Sequence, residues 1–484
     1  MALFAGLGAL GGLGHPPVAA PLLALVSLIL LVGLRPWRLP VRSAAWALWA
    51  YGSGYFGVAM HWIVEPFLVD IARHGWMAPF AILLLAGGLA LFYAAAGALA
   101  AWRGSGVVFA LAFAGAEIIR AHIFTGFPWA MHVTAFVDVA LYQAAAFAGP
   151  HGLTLLLMLA LVGADAMRGT PLKAAMGLAL LIPLALASTF GLPAPEAPSA
   201  DAPLLRVVQP NARQDLKWRE DMMPVFLDRK ITATAALPHA DLVVWPESSL
   251  PTWLETGQDI FTEAARRGEG AELLIGAQSW RREAAYNGLA HISPEGEIRA
   301  DYLKHHLVPF GEYMPLGALF SRLGIYGLAA HDGFGYAAGA GPTPLEIPGI
   351  GTVQPLICYE SVFPHEVGQR ALGGVRPRLL VVVTNDAWFG ELGGPAQHLQ
   401  QAQARAIEQG LPLARSANTG ISAIIDARGR ILAALPLGTD GHVDAPLPPA
   451  RPATIYAQWG DWPAFVLMVL LLAGHFAARR AKTD

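Results

Sequence analysis

The sequence predicts an α-helical transmembrane bundle joined to a globular α/β domain, and its composition is the main reason. Of the 484 residues, 55% are hydrophobic and 14% are charged, whereas roughly 25% of residues are charged in ordinary soluble proteins. Positions 1–195 hold 13 of the 67 Asp, Glu, Lys and Arg residues, and the other 289 positions hold 54. The chain therefore divides into a membrane part and a globular part.

Seven apolar segments are long enough to cross a bilayer as helices, because a hydrocarbon core about 30 Å thick needs about 20 apolar residues. These predicted spans are residues 17–34, 44–64, 77–102, 107–123, 139–162, 174–192 and 462–478. An eighth apolar segment, residues 2–13, is shorter than a typical span. We therefore predict a transmembrane bundle of about seven helices over residues 1–192, the first of them short, and a C-terminal transmembrane helix over residues 461–479.

Positive residues in the short loops predict the orientation, because cytoplasmic loops are enriched in Lys and Arg. Counting eight spans places four positive groups on one side of the membrane, at residues 35–42, 103, 168–173 and 479–482. Arg73 and Arg120 fall on the other side. The same count places the large segment after residue 193 outside the cytoplasm. Within the spans, Glu117 and Arg120 are three residues apart, a spacing that suits either a helical ion pair or a functional site.

The globular part follows a Pro- and Ala-rich linker at residues 193–203 and covers residues 204–449. Short apolar runs typical of buried strands end at Gln209, Glu247, Gln278, Glu360 and Asp386. Amphipathic stretches such as residues 394–410 lie between them and are typical of helices. Alternating strands and helices predict an α/β sheet domain. The net charge of −3 gives no basic field for nucleic acid, so we exclude nucleic acid as a partner.

Three residues of this domain carry useful chemistry: Glu247 in WPESS, Lys304 in YLKHHLVPFGEYMP and Cys358 in ICYES. Taken singly, Glu247 suits a turn carboxylate, Lys304 suits a solvated charge, and Cys358 suits a buried small hydrophobe. Together they form a base, a cation and a nucleophile. An ammonium lowers the pKa of a nearby thiol and stabilises the oxyanion of a tetrahedral intermediate, while a carboxylate can accept the thiol proton. The set predicts acyl transfer through a thioester.

Two further features bear on this site. Asn385 closes a predicted strand beside it and suits either a turn cap or a supporting role. His305 and His306 are adjacent, and neighbouring side chains on a strand point to opposite faces, so we predict no shared metal. We expect neither a metal nor a cofactor.

The motifs WPES, CYE and TNDAWFG, with the Lys304 segment, resemble the nitrilase superfamily. That resemblance implies a Glu, Lys and Cys site on an αββα sandwich, so the predicted fold class becomes a transmembrane bundle plus a nitrilase-like αββα domain. The motifs QPNARQDLKW, KHHLVPFGEYMP, NDAWFG and TGFPW narrow the resemblance to the apolipoprotein N-acyltransferase family, over nearly the whole chain.

This second resemblance implies a reaction, a location and further site residues. An acyl chain would pass from a phospholipid, usually phosphatidylethanolamine, to Cys358, and then to the α-amine of diacylglyceryl-cysteine on an apolipoprotein. The catalytic domain would lie on the periplasmic side of the inner membrane. Glu312 matches a second glutamate that positions the site, and family motif positions are also occupied by Trp218, Tyr359 and Glu360.

Two alternatives remain open on the sequence. One is a membrane-anchored nitrilase-like amidase acting on a small amide or nitrile, although seven or eight spans exceed what an anchor requires. The other is a transporter or channel with a regulatory extramembrane domain, although the spans hold few charges. The largely apolar residues 315–335 suit a membrane-facing lid and a core helix with a loop equally well.

Overall fold

A computed structural model describes residues 1–315 and 335–480 of the chain. The chain divides into two compact units. The first contains Met1–Pro193, Leu392–Gln400 and the chain from Ala453 on. The second contains the described residues of Ala194–Glu391 together with Gln401–Pro452. The possible lid at 315–335 lies outside the described residues, apart from its two end residues.

The α-helices of the described residues are listed here in chain order: α1 Ala2–Gly12, α2 Pro21–Gly33, α3 Val41–Ala59, α4 Ile71–His74, α5 Ala78–Arg103, α6 Gly106–His122, α7 Ala145–Ala166, α8 Pro171–Ala187, α9 Met223–Thr234, α10 Gln258–Gly268, α11 Gly394–Gln409, α12 Ile455–Trp459 and α13 Trp462–Arg480. Within the described residues, four stretches are long and apolar enough to cross a membrane: Pro21–Arg38, Ile71–Arg103, Gly106–Thr125 and Ala140–Ala166. Shorter apolar helices are Ala2–Gly12, Pro171–Ala187 and Trp462–Ala477. The chain is a membrane protein, and the count of seven spans stays a prediction.

Helices α1 and α3 approach each other to backbone contact. A Cβ atom built on Gly8 would lie 1.8 Å from the carbonyl oxygen of Tyr51, and one built on Gly54 would lie 2.0 Å from that of Ala5. Neither position has room for any side chain. Small residues allow this close packing, which stabilises helix pairs where no hydrophobic effect drives association.

A buried polar network links helix α6 to the TGFPW loop that follows it. Arg120 lies 2.5 Å from the Glu117 carboxylate, and Nδ1 of His132 lies 3.1 Å from the same carboxylate. Arg120 also donates to the carbonyl oxygen of Trp129 at 2.7 Å and to that of Phe127. The ion pair predicted from the three-residue spacing is confirmed, and it fixes the loop backbone.

The second unit contains two six-stranded sheets. In chain order the strands are β1 Leu204–Gln209, β2 Leu242–Trp245, β3 Glu272–Arg281, β4 Ala284–Ile292, β5 Ile298–Leu303, β6 Leu345–Ile347, β7 Gly351–Ile357, β8 Leu379–Thr384, β9 Leu413–Ala417, β10 Ser422–Ile425, β11 Ile431–Leu435 and β12 Gly441–Pro446. One sheet has the order β12-β1-β2-β3-β4-β5, and the other has the order β11-β10-β9-β8-β7-β6. Strands β1, β2 and β3 are parallel, as are β7, β8 and β9.

The alternating faces of the strands build two separate layers of core. On β2, Leu242 and Val244 belong to a cluster that includes Val353 and Val381 of the other sheet. Val243 and Trp245 face the opposite way, toward side chains of α9 and α10. The sheets therefore pack face to face. Because α11 connects the parallel strands β8 and β9, it must cross the outer face of its sheet, and the predicted αββα sandwich is confirmed.

Candidate active site

Glu247 lies two residues beyond the carboxyl end of strand β2. Its side chain is buried, and its two oxygens have separate donors: Nδ2 of Asn287 at 2.6 Å and the backbone N–H of Asn385 at 2.7 Å. The Lys304 ammonium lies 3.8 Å away. Burial raises the pKa of the Glu247 carboxyl; the Lys304 charge opposes this rise, and the Glu312 charge adds to it.

Lys304 follows strand β5, and its side chain is only 1% exposed. Its ammonium lies 2.8 Å from the Glu312 carboxylate. Burial alone would lower the pKa of Lys304, but the charges of Glu312 and then Glu247 raise it above its ordinary value. Lys304 is therefore protonated at neutral pH.

Cys358 follows strand β7 and has a left-handed backbone conformation, with φ of 52°. Residues other than glycine rarely adopt this conformation, and it occurs often at functional sites. Burial, and then the Glu247 charge, raises the pKa of the Cys358 thiol, and Lys304 lowers it by less. The ammonium does lower the thiol pKa, as expected, but burial and the Glu247 charge outweigh it, so the net pKa is raised. At neutral pH the Cys358 side chain is therefore a neutral thiol.

Asn385 lies in the loop after β8 and forms hydrogen bonds with Glu247 and with two neighbouring side chains. Its backbone N–H donates to Glu247, and its side-chain Nδ2 donates to Oε1 of Gln214 at 2.9 Å. Its Oδ1 accepts a hydrogen bond of 2.8 Å from Asn418. The loop after β8 thus holds one oxygen of the Glu247 carboxylate in place.

Glu312 and Glu360 are both buried, and they act on different parts of the site. Glu312 contacts Lys304 and also accepts the backbone N–H of Val308 at 2.8 Å. Glu360 accepts the backbone N–H of Ile357 at 2.7 Å and that of His305 at 2.7 Å. Glu360 therefore fastens the turn that carries Cys358 to the chain that carries Lys304.

The two aromatic residues of the predicted set lie in different surroundings. Tyr359 is buried, and its ring packs edge-on against Phe363, with centroids 4.9 Å apart. Trp218 is 43% exposed, and it lines a cavity that Glu247 also lines. Tyr359 therefore packs in the protein interior beside Cys358, whereas Trp218 is half exposed at this cavity.

Two residues near the site, Asn287 and Tyr336, were not predicted from the sequence. Nδ2 of Asn287, on β4, donates to Glu247 and, at 3.3 Å, to Glu312. The Tyr336 hydroxyl accepts from Nε2 of Gln278 at 2.6 Å, and burial, with the charges of Glu312 and Glu247, raises the pKa of Tyr336 to about 12. The available signal for Asn287 was an amide residue inside a strand, where Asn is uncommon.

His305 and His306 share one carboxylate. Nε2 of His305 lies 3.1 Å from Glu366, and Nδ1 of His306 lies 2.8 Å from it. The argument that the two side chains point to opposite faces is wrong, because β5 ends at Leu303 and strand alternation does not extend to them. Across residues 1–315 and 335–480, no group of three or more His, Cys, Asp or Glu side chains could hold a metal ion.

The buried site brings together the components of covalent acyl transfer. It has a thiol on a constrained turn, a carboxylate of raised pKa that can accept the thiol proton, and a permanent ammonium beside both groups. Groups with these properties form and break a thioester, because the base activates the nucleophile and the cation stabilises the oxyanion.

Comparison with known proteins defines the class and then the family. Residues 204–456 match the family model "Carbon-nitrogen hydrolase", and residues 7–163 match "Apolipoprotein N-acyltransferase N-terminal domain". The protein is thus a carbon-nitrogen hydrolase domain joined to that membrane domain. Relatives named apolipoprotein N-acyltransferase include one from Caulobacter vibrioides, 40% identical over 99% of this chain and 94% of the relative. Others come from Rhodopseudomonas palustris, 38% identical over 90% and 86%, and from Brucella melitensis, 37% identical over 97% and 93%.

The chain belongs to the apolipoprotein N-acyltransferase family and is an acyltransferase. The relatives are aligned over most of their length as well as over most of this chain. The amidase alternative has less support, since a carbon-nitrogen hydrolase amidase would not account for the match of residues 7–163.

Proposed function

We propose that the protein transfers an acyl chain from a phospholipid, with phosphatidylethanolamine as the donor, to the α-amine of diacylglyceryl-cysteine on an apolipoprotein. The observation that carries the proposal is the buried arrangement of Glu247, Lys304 and Cys358. The family supports lipid and lipoprotein substrates, and the covalent site supports a mechanism in two half-reactions.

In the first half-reaction the Glu247 carboxylate takes the proton of the Cys358 thiol, and the thiolate sulfur attacks the ester carbonyl carbon of the phospholipid. The Lys304 ammonium stabilises the resulting oxyanion. When the C–O bond of the ester breaks, the Glu247 carboxyl returns the proton to the lysophospholipid oxygen. The product is an acyl thioester on Cys358.

In the second half-reaction the neutral α-amine of the lipoprotein attacks the thioester carbonyl. An α-amine has an ordinary pKa near 8, so an appreciable fraction is neutral at pH 7. Glu247 accepts a proton from the attacking nitrogen, the C–S bond breaks, and the proton passes to the Cys358 sulfur. An amide forms and the thiol is restored.

We also propose that the chain lies in the inner membrane with the second unit on the periplasmic side. The positive groups in the predicted loops support this orientation. A reporter enzyme that is active only in the cytoplasm, fused after Pro203, should be silent, and a periplasm-dependent reporter at the same position should be active. The opposite pair of results would reverse the proposed topology.

The covalent intermediate gives the direct test of the function. Incubation with phosphatidylethanolamine should add one acyl mass to the intact protein, and hydroxylamine should remove it. Cys358→Ala should abolish both the adduct and the transfer, whereas Glu263→Gln, at an exposed carboxylate, should leave both unchanged. Cys358 is the only cysteine in the chain, so transfer by Cys358→Ala at a comparable rate would refute the thioester mechanism.

A further inference from the structure

A cavity in the second unit is lined by two buried lysines that the proposed mechanism does not use. Residues 210–223, helix α9 and residues 246–251 contribute its walls. Lys217 is 7% exposed and Lys230 is 4% exposed. Trp218 and Glu247 line the same cavity, so it adjoins the candidate active site.

Each ammonium has only a carbonyl oxygen as its hydrogen-bond acceptor among residues 1–315 and 335–480. Nζ of Lys217 donates to the backbone oxygen of Glu247 at 3.3 Å, and Nζ of Lys230 donates to that of Ser249. An ammonium has three N–H donors. Two donors on each lysine therefore remain for another acceptor.

Among residues 1–315 and 335–480, neither ammonium forms an ion pair with a carboxylate, although Glu247 lines the same cavity. Burial lowers the pKa of Lys217 to about 8, and the Glu247 charge opposes this fall. Burial, together with repulsion from Lys217, lowers the pKa of Lys230 to about 7. Two cations that repel each other in a buried cavity are costly unless an anion compensates for them.

We propose that this cavity binds a phosphate group between Lys217 and Lys230. Phosphate oxygens accept several charge-assisted hydrogen bonds at once, and lysine is a common phosphate ligand. The phosphate comes either from the headgroup of the acyl donor, an assignment that rests on the proposed function, or from free phosphate. Trp218 lies at this cavity with its ring half exposed, as suits an aromatic side chain at a lipid interface.

The first measurement is the thermal stability of the full chain in detergent, and it requires no turnover. Inorganic phosphate should raise the Tm of the parent protein above its value in chloride at equal ionic strength. In Lys217→Met and Lys230→Met the affinity for phosphate should fall about tenfold or more. Arg219→Met removes an exposed cation from the same loop and should keep the full phosphate response.

The same data contain the result that would overturn the proposal. If phosphate gives no specific rise in the parent, or an equal rise in both lysine variants, the cavity is not a phosphate site. The parent measurement stands even if a variant fails to fold. Because this measurement does not depend on catalysis, its failure is distinct from a failure of the acyltransferase proposal.

Steady-state kinetics identifies the source of the phosphate. If it is the lipid headgroup, Lys230→Met should raise KM for phosphatidylethanolamine about tenfold and leave KM unchanged for a p-nitrophenyl acyl ester, which lacks phosphate. If the two KM values change in parallel while the thermal response to inorganic phosphate is lost, the site takes free phosphate.

Discussion

The Lys304 ammonium lies 2.8 Å from the Glu312 carboxylate, whereas its distance to the Glu247 carboxylate is 3.8 Å. Glu312 is therefore the closer counter-ion of the buried cation. Burial raises the pKa of the Glu247 carboxyl, and the Glu312 charge adds to this rise against the opposing Lys304 charge. The arrangement leaves Glu247 the better placed of the two to accept a proton, although both are buried in the same site.

Glu312→Gln should lower kcat by about 100-fold, in the range seen when electrostatic support of a transition state is removed. Without the Glu312 charge, Glu247 becomes the only nearby counter-ion of Lys304 and loses basicity. Single-turnover formation of the acyl-enzyme measures the effect, with the exposed Glu263→Gln as control. Normal acylation in Glu312→Gln would show that Lys304 does not need this counter-ion.

Asn287→Ala should move the acid limb of the pH profile of kcat/KM to higher pH. The hydrogen bond from Asn287 lowers the pKa of Glu247, so its loss raises that pKa further. Glu247 is active as a carboxylate and would then be protonated over a wider pH range. A uniform loss of activity with an unchanged profile would instead assign Asn287 a purely structural role.

The contacts of Glu366 predict a stability that depends on pH. Its carboxylate and that of Glu360 raise the pKa of His305 from 6.5 to about 9, although burial opposes the rise. The pKa of Glu366 falls from 4.5 to about 2 because both histidines donate to it, again against burial. The stability that His305 contributes to the folded protein is fully present below pH 6.5 and is lost as pH rises through about 9. The stability that Glu366 contributes is present above pH 4.5 and is lost as pH falls through about 2.

Glu366→Gln should therefore lower Tm most between about pH 4.5 and 6.5, by roughly 2–4 °C for each kcal/mol lost. The difference from the parent protein should shrink as the pH approaches 10. Thermal unfolding of both proteins over this pH series measures it. A difference that does not vary with pH would mean that charge at His305 contributes nothing to stability.

Gly8→Leu should destabilise the helix pair of α1 and α3. A side chain at Gly8 would overlap the Tyr51 carbonyl, whereas a Cβ at Gly6 meets no atom within 4 Å. Gly6→Leu is therefore a matched control on the same helix. We expect a lower Tm in detergent and a lower yield of membrane-inserted protein for Gly8→Leu only, and equal behaviour of the two variants would rule out close packing at this position.

The sequence predicted the buried strands better than the edges of the sheets. The predicted strand ending at Gln209 agrees with β1, and β2 ends at Trp245, two residues before the predicted Glu247. These strands are apolar on both faces because each is covered on both sides. Strands β11 and β12 are half-exposed, so their composition gives a weaker signal.

The surroundings of the site could not be predicted from local sequence. Asn287 lies 40 residues from Glu247 along the chain, and the pairing of β2 with β3 and of β3 with β4 brings the two together. The net rise of the thiol pKa depends on burial in three dimensions, which motif spacing does not report. Motifs identified the chemical groups, whereas the fold decided which of them hydrogen-bond to each other.

The Glu360 carboxylate accepts hydrogen bonds from the backbone of Ile357 and of His305. This arrangement allows substrate preference to change independently of the acyltransferase chemistry. Because one internal carboxylate ties the Cys358 turn to the His305 backbone, the spacing of nucleophile and cation is fixed within the sandwich. Residues outside this frame, such as Trp218 and Lys230 at the neighbouring cavity, can then change in sequence without disturbing that spacing. Donor specificity can therefore diverge among relatives while the reaction stays the same.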